Sequence, residues 1–186
     1  MASASAKVRS LINGIIEREG GYVDHPNDPG GATMYGITEA VARVNGYTGD
    51  MRHMPRSLAE RIYLEQYFIR PQFNRVSDLS EAIAEEMTDT GVNMGTAKAA
   101  TYLQVALNAF NLNGKFYRDI AVDGGVGNET LAALGAYLDK RGAEGETVML
   151  KALNCLQGAD YIAIATSRPE KFETFVYGWF LNRVAV

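Results

Sequence analysis

Glu19-Gly20-Gly21-Tyr22-Val23-Asp24-His25-Pro26-Asn27-Asp28-Pro29-Gly30-Gly31-Ala32-Thr33-Met34-Tyr35-Gly36-Ile37-Thr38 is the stretch that decides the fold, because a first helix must stop there and a turn-rich loop must begin. The residues before it repeat with helical period. Val8, Ile12 and Ile15 share one stripe, and at about 100° per residue Glu19 falls within roughly 40° of all three. A helix over about residues 5–19 follows, with Glu19 leaning toward its buried face. Gly20 and Gly21 then end it, as glycine does where φ turns positive after a last helical turn. An acid in that place is poorly situated for stability, since partial desolvation and the negative end of the helix dipole both disfavour its charged form. Both effects push its pKa upward. A carboxyl group that keeps its proton near neutral pH is what a general acid for glycosidic cleavage requires, with a second polar group across the cleft.

Working outward, the chain has 186 residues, 47% hydrophobic and 22% charged, which suits one domain, or one domain with a small lobe, around a substantial core. A net charge of −4 and no cluster of Lys and Arg argue against nucleic acid as a partner, because phosphate binding rests on such clusters. Cys155 is the sole cysteine, which rules out an intramolecular disulfide and disfavours a cysteine-based metal site. It reads as a small hydrophobe on a helix, like buried free cysteines in general. Met1-Ala-Ser-Ala-Ser-Ala-Lys7 lacks the basic start and apolar run of a signal peptide. No apolar stretch is long enough to span a bilayer. The expectation is a chain made in the cytoplasm, with no integral membrane segment. If its substrate lies outside the cytoplasm, its release depends on a holin or another export route.

Helical period dominates the remainder. Thr38 can cap a short helix through Val44, closed by Asn45-Gly46. Ser57-Leu-Ala-Glu60 reads as a capping box opening a helix that Pro71 ends, and Asp78-Leu-Ser-Glu81 as the opening of another that carries Ile83 and Met87 toward Gly91. A long apolar-periodic helix is expected from about Thr96 to Phe110, followed by a turn at Asn111-Leu-Asn-Gly114. Asp123-Gly-Gly-Val-Gly127 makes a second tight loop before a helix from Asn128 to about Lys140. The charged, glycine-punctuated stretch from Asp139 to Glu146 reads as an exposed connection, and helices over 146–166 and 169–183 complete the chain. Strand signal is confined to Tyr22-Val23 and Tyr35-Gly-Ile37, which could form a small hairpin. The fold class is therefore mainly α, with a small β-hairpin and loop after the first helix.

Beyond Glu19, the carboxylates that can bear chemistry are Asp24 and Asp28, with Thr33 on the far side of Pro29-Gly30-Gly31. A helix end plus a loop of this length can fold back so that two carboxyls face each other across a sugar and a water. Asn27-Asp28-Pro29-Gly30 also has strong turn chemistry, so Asp28 serves as turn former, as catalytic group, or as both. Thr33 is either a solvated hydroxyl or a holder of water. His25 and His53 have no second ligand at metal spacing, and the Asp24–Asp28 loop lacks the later acidic ligands of an EF-hand, so neither a metal nor another cofactor is implied. No Gly-x-Ser-x-Gly elbow is present. Gly125-x-Gly127 is better read as a helix-capping turn than as a phosphate loop, having neither a preceding strand nor a lysine. Of the tyrosines at 22, 35, 47, 63 and 67, core packing takes most, and Tyr22 and Tyr35 are the candidates for contact with a sugar.

At these residues the chain resembles glycoside hydrolase family 108, the phage endolysins and related bacterial muramidases. Glu19-Gly-Gly-Tyr22, Asp28-Pro-Gly-Gly31, Thr33 and Tyr35-Gly-Ile-Thr38 carry the resemblance in order and spacing. The second half resembles the predicted peptidoglycan domain of that family through Asp89-x-Gly91-Val-Asn93-x-Gly95, Leu103-Gln104, Asp123-Gly124 and Thr130-Leu131. The resemblance implies a lysozyme-like helical fold, a catalytic region over 1–92, a peptidoglycan-domain-like region over 93–186 packed into the same globular unit, and N-acetylmuramidase activity with Glu19 as the acid. Asp28 and Thr33 would assist, Thr33 following Asp28 after four residues where the best-known phage-lysozyme pattern has five. Tyr22, Tyr35 and Asn93 would touch the glycan strands of peptidoglycan. Such an endolysin would act on the cell wall or periplasm after release, to bacteriolytic effect. Two rivals stand beside it: a lytic transglycosylase acting on the same bond, and a non-catalytic wall-binding or secretion-accessory protein.

Overall fold

A computed structural model of the chain describes residues 4–24 and 32–184. They form two compact units, parting between Arg70 and Pro71. The architecture is mainly α, with one small antiparallel hairpin following the first helix.

The N-terminal unit opens with α1, Ala6–Glu19, capped by Ser5, whose hydroxyl accepts from the Val8 amide at 3.2 Å. Val8, Ile12, Ile15 and Ile16 form its buried stripe, and α1 packs on α3, Arg56–Leu64, through the buried Leu58, Ala59, Ile62 and Tyr63. Between them come the hairpin β1, Thr33–Met34, and β2, Ile37–Thr38, then α2, Glu39–Val44, capped by Thr38 as expected, and a 3₁₀ turn at Met51–His53. The Ser57–Glu60 capping box does not form. Pro55, extended at φ −63° and ψ 136°, is the cap residue, and the Glu60 carboxylate that the box needs accepts instead from Arg56 Nε at 3.3 Å. Past Leu64 the helix widens into a π turn at Glu65–Ile69 and ends before Pro71.

The C-terminal unit comprises α4, Phe73–Ser77, α5, Glu81–Met94, α6, Thr96–Phe110, α7, Asn128–Ser167, and α8, Pro169–Arg183. Its core is built from Phe73, Ile83, Met87, Leu103, Leu107, Leu134, Met149 and Leu153, each at most 2% exposed. Three details differ from the sequence expectation. Asp78 belongs to the end of α4, a short helix that the periodicity does not foretell, so Ser80 caps α5, its hydroxyl accepting from the Ile83 amide at 3.1 Å. The exposed stretch after Asp139 is not a loop. Helix runs through it with one break at Gly142, whose φ of 58° and ψ of −149° suit glycine alone. Cys155 is on α7 but exposed, not buried.

Gln104, Asp123, Gly124 and Thr130, from three of the motifs of this half, meet in a single polar network. Gln104 is completely buried in α6, and its Nε2 donates to Asp123 Oδ1 at 2.7 Å and to the Gly125 carbonyl at 2.9 Å, while its Oε1 accepts from the Gly124 amide at 2.9 Å. Thr130 Oγ1 lies 3.3 Å from Nε2. The Asp123–Gly127 loop is thus fastened to α6 by hydrogen bonds as it leads into α7. Among the described residues, no helix is long and apolar enough to cross a membrane.

Candidate active site

The site is built on the end of α1 and the hairpin that follows it. Gly20 takes φ 78°, its amide donating to the Ile16 carbonyl at 3.2 Å, so the helix stops with Glu19 as its last residue. Glu19 is exposed, and the lean toward the buried face expected from periodicity is absent, because the helix ends before another turn can cover it. The hairpin arms are not those expected either. Thr33 pairs with Thr38 and Met34 with Ile37, which places Tyr35 and Gly36 in the turn itself, with φ of 55° and 74°. Positive φ at both central residues is the signature of the type I′ turn that matches strand twist. Tyr35 adopts it despite carrying a Cβ.

Gly36 explains why. A Cβ on it would lie 2.8 Å from Glu19 Cγ and Oε2 and 2.7 Å from Tyr63 Oη, so the turn backbone lies directly against the Glu19 carboxyl and leaves no room for a side chain. Tyr63 closes the arrangement from α3, its hydroxyl donating to the Tyr35 carbonyl at 2.8 Å. Burial pushes the Tyr63 phenol up to about 12, and the charges of Glu19 and Tyr67 push the same way. Tyr63 therefore remains a protonated donor at any physiological pH. Tyr63 is buried, as expected for most of the tyrosines, and it also reaches the turn. It stacks at 6.2 Å on Tyr67, one helical turn away.

Of the other candidates, Thr33 lies in β1, where its amide donates to the Val23 carbonyl at 2.8 Å and its carbonyl accepts from the Val23 amide at 3.0 Å. That bridge clasps the two flanks of the Gly/Pro loop, so Val23, not Tyr22, extends the hairpin. Tyr22 is half-buried, its hydroxyl donating to Asp24 Oδ2 at 3.0 Å and its ring lying under the Arg52 guanidinium at 5.3 Å. Asp28 and His25 lie outside the described residues. Asn93 belongs to the C-terminal unit, at the end of α5, and lines a cavity there. No group of three His, Cys, Asp or Glu side chains suited to a metal is present among the described residues.

The arrangement is an exposed carboxyl at a helix end, lying against a hairpin turn whose Tyr35 carbonyl accepts from the Tyr63 hydroxyl. Residues 12–95 match the model for glycosyl hydrolase 108, and residues 98–184 match the predicted peptidoglycan domain. The chain pairs a glycosyl hydrolase 108 region with a peptidoglycan domain. Among solved structures it is similar to SagA of Brucella abortus, at 27% identity and a TM-score of 0.56, over 92% of this chain and 86% of that one. No curated protein matches it. The two matched regions together support a peptidoglycan hydrolase. The hydrolase region runs to residue 95, past the division of the compact units at Pro71.

Proposed function

We propose that the protein is an N-acetylmuramidase that cleaves the β-1,4 bond between N-acetylmuramic acid and N-acetylglucosamine, with Glu19 as the general acid. The observation that carries this reading is the contact of the Glu19 carboxyl with the Gly36 turn, which holds an acid at the surface where a glycan strand can reach it. Glu19 protonates the departing glycosidic oxygen. Asp28 stabilises the positive charge that develops on the sugar ring or orients the attacking water, with Thr33 in support, while Tyr22 and Tyr35 contact the strand. The protein acts on the wall as an endolysin, after release from the cytoplasm by a holin or an equivalent route.

Glu19→Gln keeps the shape of the side chain and removes the transferable proton. It is expected to lower sugar release from purified sacculi by at least about 10²-fold with an unchanged circular dichroism spectrum; near-normal release by the folded variant would remove Glu19 from the mechanism. Mass spectrometry of the digest identifies the bond and the attacking group. Reducing muramic acid ends support a hydrolase, whereas products lighter by one water, carrying 1,6-anhydro ends, would mean that the muramoyl 6-hydroxyl attacks.

A further inference from the structure

A cavity of about 760 Å³ opens within the C-terminal unit between α5, α6, the second half of α7 and α8. Its size falls in the range of pockets that hold small organic ligands. One wall is polar and pre-oriented. Asp160 Oδ2 accepts both from the Tyr102 hydroxyl and from Lys98 Nζ, each at 2.5 Å, so the carboxylate plane is fixed by bonds that do not use Oδ1. Asn93 is oriented in the same manner, its Nδ2 donating to the Asp89 carbonyl at 2.7 Å and to Asp89 Oδ1 at 3.2 Å, neither of which uses its own Oδ1. Burial pushes the Asp160 carboxyl up, but the Lys98 and Tyr102 hydrogen bonds and the Lys98 charge outweigh it and hold the group below its ordinary value.

The opposite wall is aromatic. Trp179 and Phe172, both half-buried, have ring centres 6.0 Å apart, and Tyr161 packs on Trp179 at 5.0 Å. Tyr161 is 4% exposed and its hydroxyl has no hydrogen-bond partner among the described residues.

The charges of the lining decide the class of ligand. Lys98 is paired with Asp160, and Arg183 with Asp89 at 3.6 Å, so neither cation is left over to recruit a phosphate or a peptide carboxylate. What the lining asks for is a neutral molecule with donors along one edge and an apolar face on the other. A pyranose with an acetamido group has that form: its hydroxyls and amide N–H donate, and its C–H face lies on aromatic rings. We propose that this cavity binds an N-acetylated hexosamine of a peptidoglycan glycan strand, with Asp160 and Asn93 accepting from its hydroxyl and amide groups and Trp179 and Phe172 covering its C–H face. The site gives the peptidoglycan domain its own hold on the wall, and in naming peptidoglycan as the source of the sugar the inference rests on the reading of the chain as a peptidoglycan hydrolase.

Trp179 is the only tryptophan of the chain, so its emission reports on this cavity. The full-length Glu19→Gln protein, which does not consume its ligand, is titrated with the soluble tetramer of N-acetylglucosamine. A saturable change in emission is expected, weakened about tenfold by Asp160→Asn, which removes a charged acceptor. Ser167→Phe, at an exposed position on the rim, should weaken it comparably by filling the cavity without disturbing the core. No saturable change, equal affinity in both folded variants, or saturation by an unglycosylated stem peptide in place of the sugar would overturn the proposal. Sugar release from sacculi by the parent protein tests the hydrolase reading separately. Release without tetramer binding removes the cavity site alone, and tetramer binding without release removes the hydrolase reading while leaving a sugar site.

Discussion

Gly36 is where the proposed acid is positioned, because two requirements fall on one residue: a positive φ and the absence of a side chain. Gly36→Ala meets both penalties at once. A Cβ would overlap Glu19 Cγ and Tyr63 Oη, and an L-residue at φ 74° is strained in any case. The variant should lose about 1–3 kcal/mol of stability and more of its activity than that loss explains, since the Glu19 carboxyl must move. Urea unfolding beside dye release from sacculi measures the two effects; full activity in a destabilised Gly36→Ala would mean that the contact is structural only. Tyr63→Phe is milder. It keeps the stack on Tyr67 and removes the bond to the Tyr35 carbonyl, costing about 1 kcal/mol. If Tyr63 positions the turn, kcat falls by more than the accompanying drop of a few degrees in melting temperature explains. An unchanged kcat would leave Tyr63 as packing.

At the level of elements, the Gln104 network makes the sharpest demand. Gln104→Leu fits the helix and suits an apolar core, yet it strips partners from the Gly124 amide, the Gly125 carbonyl and Asp123 together. The expected loss is about 2–4 kcal/mol, read as a lower urea midpoint, and an equal midpoint in parent and variant would show that water replaces the amide. This network also shows where sequence reading stops. Apolar period locates α1 and α6, and Thr38 announces the cap of α2, because those signals lie within a few residues of the structure they specify. Gln104 and Asp123 stand in separate motifs, and only tertiary folding reveals that one side chain holds the other. The same limit applies at the hairpin. Tyr35 carries β propensity and was expected on a strand, but the clearance needed at Gly36 forces both residues into the turn. The capping box at Ser57 failed through competition, its glutamate being engaged by Arg56. Glu19 and the Tyr35-Gly36 turn stand in one short stretch of sequence, whereas the part played by Tyr63 is not legible there, since nothing local ties a residue of α3 to a turn 28 positions earlier.

Across the whole molecule, acid should be the perturbation that separates these contributions. Two carboxylates of the C-terminal unit are held below their ordinary values: Asp123 by the Gln104 side chain and then the Gly125 amide, and Asp160 by Lys98 and Tyr102 against its burial. A group whose pKa is lower folded than unfolded binds its proton more tightly in the unfolded chain. Its stabilising effect is therefore complete above the unfolded value of about 3.9 and is lost as pH falls through the folded value. Asp160→Asn removes the titrating group while keeping its size. Its melting temperature should lie below that of the parent at pH 7, and the gap should narrow as pH drops below about 4, since the parent carboxylate is then being protonated as well. Asp123→Asn should behave alike, because its amide can still accept from Gly125 but no longer carries the charge. Both comparisons belong at low and at moderate salt. Asp160 is about one-third exposed, so added salt should shrink its gap at pH 7 by screening the Lys98 charge. A gap that stays constant from pH 7 down to pH 3 would show that these aspartates stabilise the fold through shape and hydrogen bonding alone, and that their ionisation contributes nothing.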